Sequence, residues 1–329
     1  MSFIFADYGL FLAKTVTLVI ALLVIISAIV AFKTKAKACL ENGVLEIKKL
    51  NEKFDELADT LQEAMLSKSE RKALKKQQSK KTAENKKRVF VLRFDGDLKA
   101  SSVDTLREAI TAILLAATPE DHVLVCLESG GGLVPHYGLA ASQLQRIRDA
   151  KLHLTVAIDK IAASGGYMMA CVANEIIAAP FAIIGSIGVV AQLPNFHRFL
   201  EKNNIDFEQI TAGQYKRTLT VFGKNTAEGR EKLQTEVEET HTLFKSFVST
   251  HRPAVDIEKI ATGEHWYASQ CVEKKLVDTL QTSDDYLLSK KDTHALYEIH
   301  YKFKQSFMKR LPLMAQQLFT LRAPFRARY

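Results

Sequence analysis

The sequence Val123-Leu-Val-Cys-Leu-Glu-Ser-Gly-Gly-Gly132 contains a short, continuous apolar run that ends in three glycines. Such a run is typical of a strand buried on both faces, and the glycines mark the turn that follows it. The neighbouring segments continue the pattern: strands are predicted over 89–94 and 152–158, and helices over 101–117 and 139–148. Strands that alternate with helices predict an α/β fold with a largely parallel sheet.

The second half of the chain extends this alternation. Residues 164–173 are rich in small residues and methionine and predict a helix, and residues 228–250 have the apolar spacing of a helix on the domain surface. Residues 176–193 resemble a second membrane span, but a proline and two glycines interrupt them, which favours a buried strand and a turn. Residues 297–303 alternate between apolar and polar, as a strand does.

Length and composition exclude several classes of protein. The chain has 329 residues, of which 47% are apolar and 25% charged, so it is neither a small disulfide-stapled scaffold nor generally disordered. The cysteines lack the spacing of a zinc cluster or a disulfide framework, and we interpret them as structural thiols: Cys39, Cys126, Cys171 and Cys271. The sequence therefore predicts no metal centre.

The net charge of +8 is confined to one segment. Residues 68–88 contain ten Lys or Arg and two Glu, which leaves the rest of the chain neutral overall. This segment is polar and lacks interleaved aromatic residues, so it predicts a basic linker over 67–87 rather than a face that binds nucleic acid. We therefore expect no nucleic-acid partner.

Thr15 to Phe32 is an uncharged segment of eighteen residues, rich in Val, Ile and Leu. At helical rise it covers about 27 Å, which is close to the thickness of a bilayer core. A cleaved signal peptide is the alternative, but its apolar region is shorter and follows a basic start, whereas here the lysines come afterwards. We therefore predict a membrane anchor over 1–38, in contact with lipid, with the C-terminal side in the cytoplasm.

Residues 39–66 form a predicted stalk. Apolar residues recur there every seven positions and share one helical stripe: Leu40, Ile47, Phe54 and Leu61. This stripe fits a short coiled coil, and it equally fits a single amphipathic helix that lies on the folded domain or the membrane. The basic C-terminal extension over 291–329 also has several interpretations, namely an oligomer contact, a membrane-surface contact or plain surface packing.

Ser164 is a candidate nucleophile. It follows a predicted strand, has small neighbours and begins a predicted helix, where free N–H groups and the helix dipole stabilise a developing negative charge. The alternative is that Ser164 only caps its helix. In the same way, the glycine turn can hold an oxyanion with its N–H groups or serve only as a tight connection.

A serine nucleophile needs a base. His136, His153 and His265 lie near plausible loops, but none has the spacing of a known triad, and we interpret them as structural. A lysine can serve if it is neutral, which requires burial away from carboxylates because the pKa of free lysine is about 10.4. Lys216 is the candidate, although its spacing does not distinguish it from any other lysine in a surface loop.

Four short motifs carry a resemblance to a known family. In chain order they are Ala163-Ser-Gly-Gly-Tyr167, Gly185-Ser-Ile-Gly188, Gly213-Gln-Tyr-Lys216 and Leu276-Val-Asp278. From about residue 88 to residue 289 the chain resembles the signal peptide peptidase A family of Ser-Lys proteases, especially its single-domain, membrane-anchored branch. Two positions depart from the family pattern, since Gly130 replaces a proline in the glycine turn and Arg217 replaces a serine after the lysine.

The resemblance implies a Clp protease/crotonase-like fold for a protease domain over 88–290, attached to the bacterial inner membrane. It implies a serine endopeptidase without cofactor or metal, in which Ser164 is the nucleophile and Lys216 the base. The implied substrate is a peptide or a membrane-protein fragment, and the implied oxyanion donors are the N–H groups of Gly131 or Gly132 and of Gly165. The resemblance also implies ring-like homo-oligomers, in which the lysine can come from a neighbouring protomer.

Two other functions stay open at this point. A crotonase-type enzyme that acts on an acyl thioester would share the fold and its paired N–H donors, but it leaves Ser164 and Lys216 unexplained. A non-catalytic membrane scaffold would assemble through the stalk and need neither residue. The side of the membrane is also open: the flanking charge and unpaired cysteines favour the cytoplasm, whereas a proteolytic role in the envelope fits the outer side.

Overall fold

The computed structural model describes residues 14–20, 43–67, 69–70 and 87–303. By its contacts the chain divides into two units, one over 47–300 and one that combines 1–46 with 301–329. In the second unit the Gly43 N–H donates to the Tyr301 hydroxyl, and Nζ of Lys302 lies 2.7 Å from Oε2 of Glu46. The residues with candidate chemistry belong to the first unit.

The described elements follow the predicted alternation. The strands are β1 (Gly43–Lys49), β2 (Lys87–Gly96), β3 (His122–Ser129), β4 (His153–Ile158), β5 (Ile161–Ala163), β6 (Glu175–Ala178), β7 (Ile183–Gly185), β8 (His265–Tyr267), β9 (Thr279–Leu280) and β10 (His294–Phe303). The helices are α1 (Leu50–Met65), α2 (Val103–Ala116), α3 (Val134–Asp149), α4 (Gly165–Ala170), α5 (His197–Lys202), α6 (Ala227–His251), α7 (Ile257–Ile260), α8 (Ala268–Cys271) and α9 (Ser283–Lys290). The apolar stretch 176–193 contains most of β6 and all of β7, separated by a turn, as predicted.

The main sheet of the larger unit is parallel, with the strand order β10-β2-β3-β4-β6-β9. Its central strands are apolar on both faces, and Val91, Val125 and Val156 are fully buried. Such strands are typical of a parallel sheet covered on both sides. The predicted α/β fold with a largely parallel sheet is therefore confirmed.

Three connections leave the sheet at the carboxyl ends of β3, β5 and β7. Ser129, the last residue of β3, pairs with Ala162 of β5, and Ala163 pairs with Gly185 of β7. The glycine turn, Ser164 and the segment after β7 therefore start from the same edge. In parallel α/β sheets ligands bind outside this edge, so the register of these strands positions the candidate site.

The helix predicted over 39–66 begins later than expected. Residues 43–49 form β1, and the helix starts at Leu50, which is buried. The Asn51 amide donates to the carbonyls of Lys291 and His294, at 2.9 and 3.0 Å, so the first turn is attached to the folded domain. These contacts replace the continuous stalk helix with a strand and a docked helix. Farther along α1, large apolar side chains are exposed: Leu57, Leu61 and Met65.

Several predictions concern residues beyond those described. Residues 14–20 of the predicted anchor are helical, whereas residues 21–38 lie outside the described part of the chain. Within the described ranges, no helix is both long enough and apolar enough to span a membrane. Most of the basic linker, residues 68 and 71–86, and the end of the C-terminal extension, residues 304–329, also lie outside the described residues.

Three histidines meet at the amino-terminal edge of the sheet. His122, His153 and His294 begin β3, β4 and β10, and the His122 ring centroid lies 5.0 Å from that of His153 and 5.7 Å from that of His294. Burial and then nearby positive charge, including Lys290 and Lys87, lower the pKa of His122 and of His294. These two rings therefore favour the neutral form in the folded chain.

We expect the domain to lose stability as the pH falls below about 6.5, the pKa of an unperturbed histidine. Because folding lowers the pKa of His122 and of His294, the unfolded chain binds more protons and acid favours it. His122→Phe keeps a ring in place, and it should flatten the dependence of the melting temperature on pH. His300→Asn, an exposed change on β10, is the control; equal pH slopes in both variants would contradict the prediction.

Candidate active site

Ser164 lies in a strained turn between β5 and α4. Its backbone has φ 52° and ψ −119°, a left-handed conformation that is costly for a residue other than glycine. The Ser164 N–H donates to the Gly185 carbonyl at 2.8 Å, while its side chain makes no capping hydrogen bond. The capping alternative therefore does not describe this serine, and its hydroxyl is left for other interactions.

Glycines allow the two turns around Ser164 to touch. Gly131 has φ +86°, and a Cβ there would lie 2.6 Å from the Gly165 nitrogen and 2.7 Å from Cβ of Ser164. A Cβ on Gly165 would lie 2.4 Å from the ring of the buried Tyr137. The glycine turn and the Ser164 turn are thus in direct contact, with no room for side chains between them.

A buried hydrogen-bond network supports the glycine turn. The Gly131 N–H donates to Oγ of Ser129 at 3.0 Å, and this hydroxyl is hydrogen-bonded to that of Tyr137. The Tyr137 hydroxyl in turn donates to the Asp97 carbonyl at 2.7 Å. The Gly131 amide therefore has an internal acceptor, whereas those of Gly132 and Gly165 have none among the described residues.

Two cavities share Ser164 as a lining residue. The polar cavity has a volume of about 400 Å³, and its polar lining consists of Ser164, Ser186, Gln234, Glu238, His241 and Thr262. The apolar cavity has a volume of about 350 Å³ and contains Gly132, Ser164 and Gly165, with an apolar wall made by Val134, Met168, Leu243, Phe244 and Phe247. Helix α6 contributes to both cavities, so this helix runs past the serine.

Lys216 does not line either of these cavities. It is exposed in the loop between α5 and α6, and its N–H donates to the Gly213 carbonyl at 3.2 Å. The loop packs on the first turn of α6, because a Cβ on Gly229 would lie 2.3 Å from the Thr218 carbonyl oxygen. Val237, which lines the polar cavity, lies eight residues beyond Gly229, or about 12 Å farther along α6. Lys216 is therefore not among the residues that share either cavity with Ser164.

Two family models match adjacent parts of this sequence. Residues 3–144 match the model for the peptidase family S49 N-terminal region, and residues 146–296 match the model for peptidase family S49. The chain belongs to peptidase family S49. This confirms the protease family that the four motifs predicted.

Curated S49 relatives cover most of the chain. The probable protease SohB of Haemophilus influenzae is 46% identical over 95% of this chain and 94% of its own length. The probable protease SohB of Buchnera aphidicola subsp. Schlechtendalia chinensis is 48% identical over 88% of this chain and 100% of its own. The chain also matches a solved structure, that of the membrane-bound stomatin-specific protease 1510-N as a lysine-to-alanine mutant in complex with a substrate peptide. The TM-score is 0.45 and the sequence identity 12%, and the match covers 69% of this chain and 99% of that one.

Lys160 is the lysine nearest to Ser164 in the sequence of this S49 protease. Its Nζ lies 2.9 Å from Oε2 of Glu128, near the end of β3. The hydrogen bond to Glu128, followed by the carboxylate charge, raises the pKa of Lys160 and keeps the amine protonated. Lys160 is therefore paired with a carboxylate of β3 and is a poor candidate for the base.

The fold brings His241 and Glu238 to the polar cavity that Ser164 borders, although motif spacing did not reveal them. Gln234, Glu238 and His241 are four and three residues apart, a spacing that places them on one face of a helix and was visible in the sequence. None of the histidines considered as bases lines either cavity: His153 belongs to the opposite-edge cluster, and the other two are exposed on α3 and β8, namely His136 and His265.

The described cysteines are buried and unreactive. Desolvation raises the pKa of Cys126 to about 11 and that of Cys271 to about 12, and it also raises that of Cys171. A thiolate nucleophile is therefore disfavoured at neutral pH, which fits the structural interpretation. Cys39 lies outside the described residues. Among the residues that are described, no group of three or more His, Cys, Asp or Glu is arranged to hold a metal ion.

Proposed function

We propose that this S49 protease is a serine endopeptidase with a Clp protease/crotonase-like fold, in which Ser164 is the nucleophile and Lys216 the base. The conformation of Ser164 carries the proposal: a strained residue whose hydroxyl does not cap its helix borders a cavity with Gly132 and Gly165. Strained backbone of this kind is concentrated at functional sites. The family membership and the protease names of the relatives support the same reaction class.

The oxyanion donors that we propose are the N–H groups of Gly132 and Gly165. Both residues line the apolar cavity with Ser164, and neither amide has an acceptor among the described residues. Gly131 was the alternative, but its N–H already donates to Ser129. Removing one such donor typically costs an enzyme about 10²–10³ in kcat.

The reaction follows from these roles. The neutral amine of Lys216 accepts the Ser164 proton while Oγ attacks the peptide carbonyl carbon, and the two amides stabilise the resulting oxyanion. The lysine ammonium then gives its proton to the departing amine as the carbon–nitrogen bond breaks. Water attacks the acyl-enzyme with the lysine again as base, which releases the carboxylic acid and restores the serine.

We propose that a second copy of the chain brings Lys216 to Ser164. The loop region around Lys216 exposes an unusual number of large apolar side chains: Val190, Leu193, Phe196, Phe199, Ile205, Phe207, Ile210, Tyr215 and Phe222. Exposed apolar patches of this kind mark interaction surfaces. Covering this patch in a homo-oligomer would also remove water from the lysine, which favours the neutral amine that a base requires.

We also propose, from the sequence alone, that residues 15–32 anchor the protease in the bacterial inner membrane with its domain on the cytoplasmic side. The basis is the uncharged apolar run and the lysines that follow it. An anchored protease meets peptides and membrane-protein fragments at the lipid surface. Protease protection in spheroplasts tests the side, because a cytoplasmic domain stays intact until the membrane is lysed.

Labelling with a fluorophosphonate probe tests the proposed chemistry. Such probes phosphonylate an activated serine, so the wild-type protein should acquire one adduct, and peptide mass analysis should locate it at Ser164. A denatured sample is the control and should not react. An intact chain without an adduct would contradict the proposal and would favour the thioester enzyme or the scaffold, since neither needs an activated serine.

A further inference from the structure

The polar cavity differs in chemistry from the apolar cavity on the other side of Ser164. One wall is a single face of α6, formed by Gln234, Val237, Glu238 and His241. The facing wall includes Ser186 and Thr262, and the volume is about 400 Å³. A peptide bound across Ser164 would therefore place side chains in two different environments.

The charges around this cavity are negative. Glu238 is its one charged lining residue among those described, and neither lysine nor arginine lines it. The Gln234 amide donates to Oε1 of Glu238 at 2.7 Å, which orients the carboxylate and leaves Oε2 without a protein partner in the described part of the chain. Behind the facing wall, the Thr262 hydroxyl donates to Oε2 of Glu264 at 2.9 Å, so a second carboxylate is close.

His241 adds an unsatisfied nitrogen. Its Nε2 is buried and has no hydrogen-bond partner among the described residues. Buried polar atoms without a partner are rare in folded proteins, and a bound ligand is one way to satisfy them. Glu238 lies three positions away on the same helix face, so a rotation of the buried His241 ring would turn this nitrogen toward a side chain held by the carboxylate.

We propose that the polar cavity is a subsite for a lysine or arginine side chain of the peptide substrate, bound by Glu238 as an ion pair and, once its ring rotates, by Nε2 of His241 as an acceptor. This rests on the proposed endopeptidase function. The cavity excludes acidic side chains by repulsion from Glu238 and Glu264. The apolar cavity takes an apolar side chain from the other side of Ser164, so cleavage occurs where basic and apolar residues flank the reacting bond.

Matched peptides test the subsite. Each set of fluorogenic peptides differs at a single position, which carries lysine, norleucine or glutamate. The sets cover the positions on each side of the scissile bond in turn. At one of these positions kcat/KM should be only about fivefold higher for lysine than for norleucine, since Glu238 is exposed to solvent, and lowest for glutamate. The difference should lie mainly in KM, because the subsite binds substrate and does not take part in bond breaking.

Three variants separate the roles. Glu238→Gln should bring the ratio of lysine to norleucine close to one, and His241→Phe, which keeps an aromatic ring, should lower it by about twofold. Glu239→Gln removes the adjacent exposed carboxylate, which lines neither cavity, and should leave the ratio unchanged. A lysine preference that survives Glu238→Gln overturns the proposal. The proposal is also overturned if His241→Phe protein hydrolyses none of the peptides and is not labelled by fluorophosphonate, since His241 would then act in the chemistry.

A binding measurement keeps this inference distinct from the endopeptidase proposal. Fluorescence anisotropy with the same peptides and Ser164→Ala protein needs no turnover. The subsite is supported if this protein binds the lysine peptide more tightly than the others and if adding Glu238→Gln weakens that binding. This holds even if wild-type protein hydrolyses no peptide, because that result would contradict only the proposed reaction. Equal affinity for lysine and glutamate peptides overturns the subsite whether or not the protein is a peptidase.

Discussion

Peptide hydrolysis is expected to fall by about 10⁴-fold or more when Ser164 is replaced by alanine, because the residual rate then comes only from binding and oxyanion stabilisation. Lys216→Ala should cause a similar loss, since the serine would keep its proton. Lys216→Arg should not restore activity, because a guanidinium does not give up its proton near neutral pH. The measurements are kcat/KM for one fluorogenic peptide and the rate of fluorophosphonate labelling.

The control is Lys224→Ala, which removes an exposed lysine from the same loop. It should retain hydrolysis within about twofold, since surface substitutions of this kind have small effects. Lys216→Ala protein with full activity would show that another base serves Ser164 and would remove the lysine from the mechanism.

Mixing Ser164→Ala and Lys216→Ala chains tests whether the dyad is shared between protomers. In a mixed oligomer the lysine of the first chain can serve the serine of the second, so activity should reappear although each variant alone is inactive. Differently tagged chains allow mixed assemblies to be isolated before the assay. Lack of recovery in such assemblies would contradict sharing and would favour a dyad formed within one chain.

Gly165→Ala is expected to destabilise the fold by about 3 kcal/mol, at the upper end of the usual cost of overpacking a core, because the added atom meets a rigid ring. The added Cβ would lie 2.4 Å from the ring of Tyr137, which is fully buried. The melting temperature should fall by about 6–12 °C for a domain of this size. Hydrolysis should fall with it by about 10²-fold, since the Gly165 amide is a proposed oxyanion donor.

Gly138→Ala is the matched control for stability. A Cβ at this position meets nothing within 4 Å, and the residue lies inside α3. The change should raise stability by about 0.5–1 kcal/mol, because alanine favours the helix over glycine. A Gly165→Ala protein that melts at the wild-type temperature would show that Tyr137 can move away, and the close packing of the two turns would not be needed.

The elements that sequence patterns predicted correctly are those whose signal is local. Strands β2 to β4 and helices α2, α3 and α6 contain their own apolar periodicity, so their type can be read without knowing their partners. Ser164 and its glycines were found for a similar reason, since small residues after a strand are uncommon and form a continuous motif. β1 was missed because residues 43–49 are short and amphipathic, and a heptad-like pattern continues through them.

The order of amino acids was sufficient for the fold class, the S49 motifs and the strand-to-helix turn that contains Ser164, because each depends on neighbours within a few residues. Two features depended on the folded chain: the hydrogen bond from Tyr137 to the Asp97 carbonyl, which supports the glycine turn, and the approach of His241 and Glu238 to Ser164. Each is set by strand register and by the packing of a helix, α3 or α6, at the sheet edge. Such contacts join residues up to about eighty positions apart, and no local pattern encodes those distances.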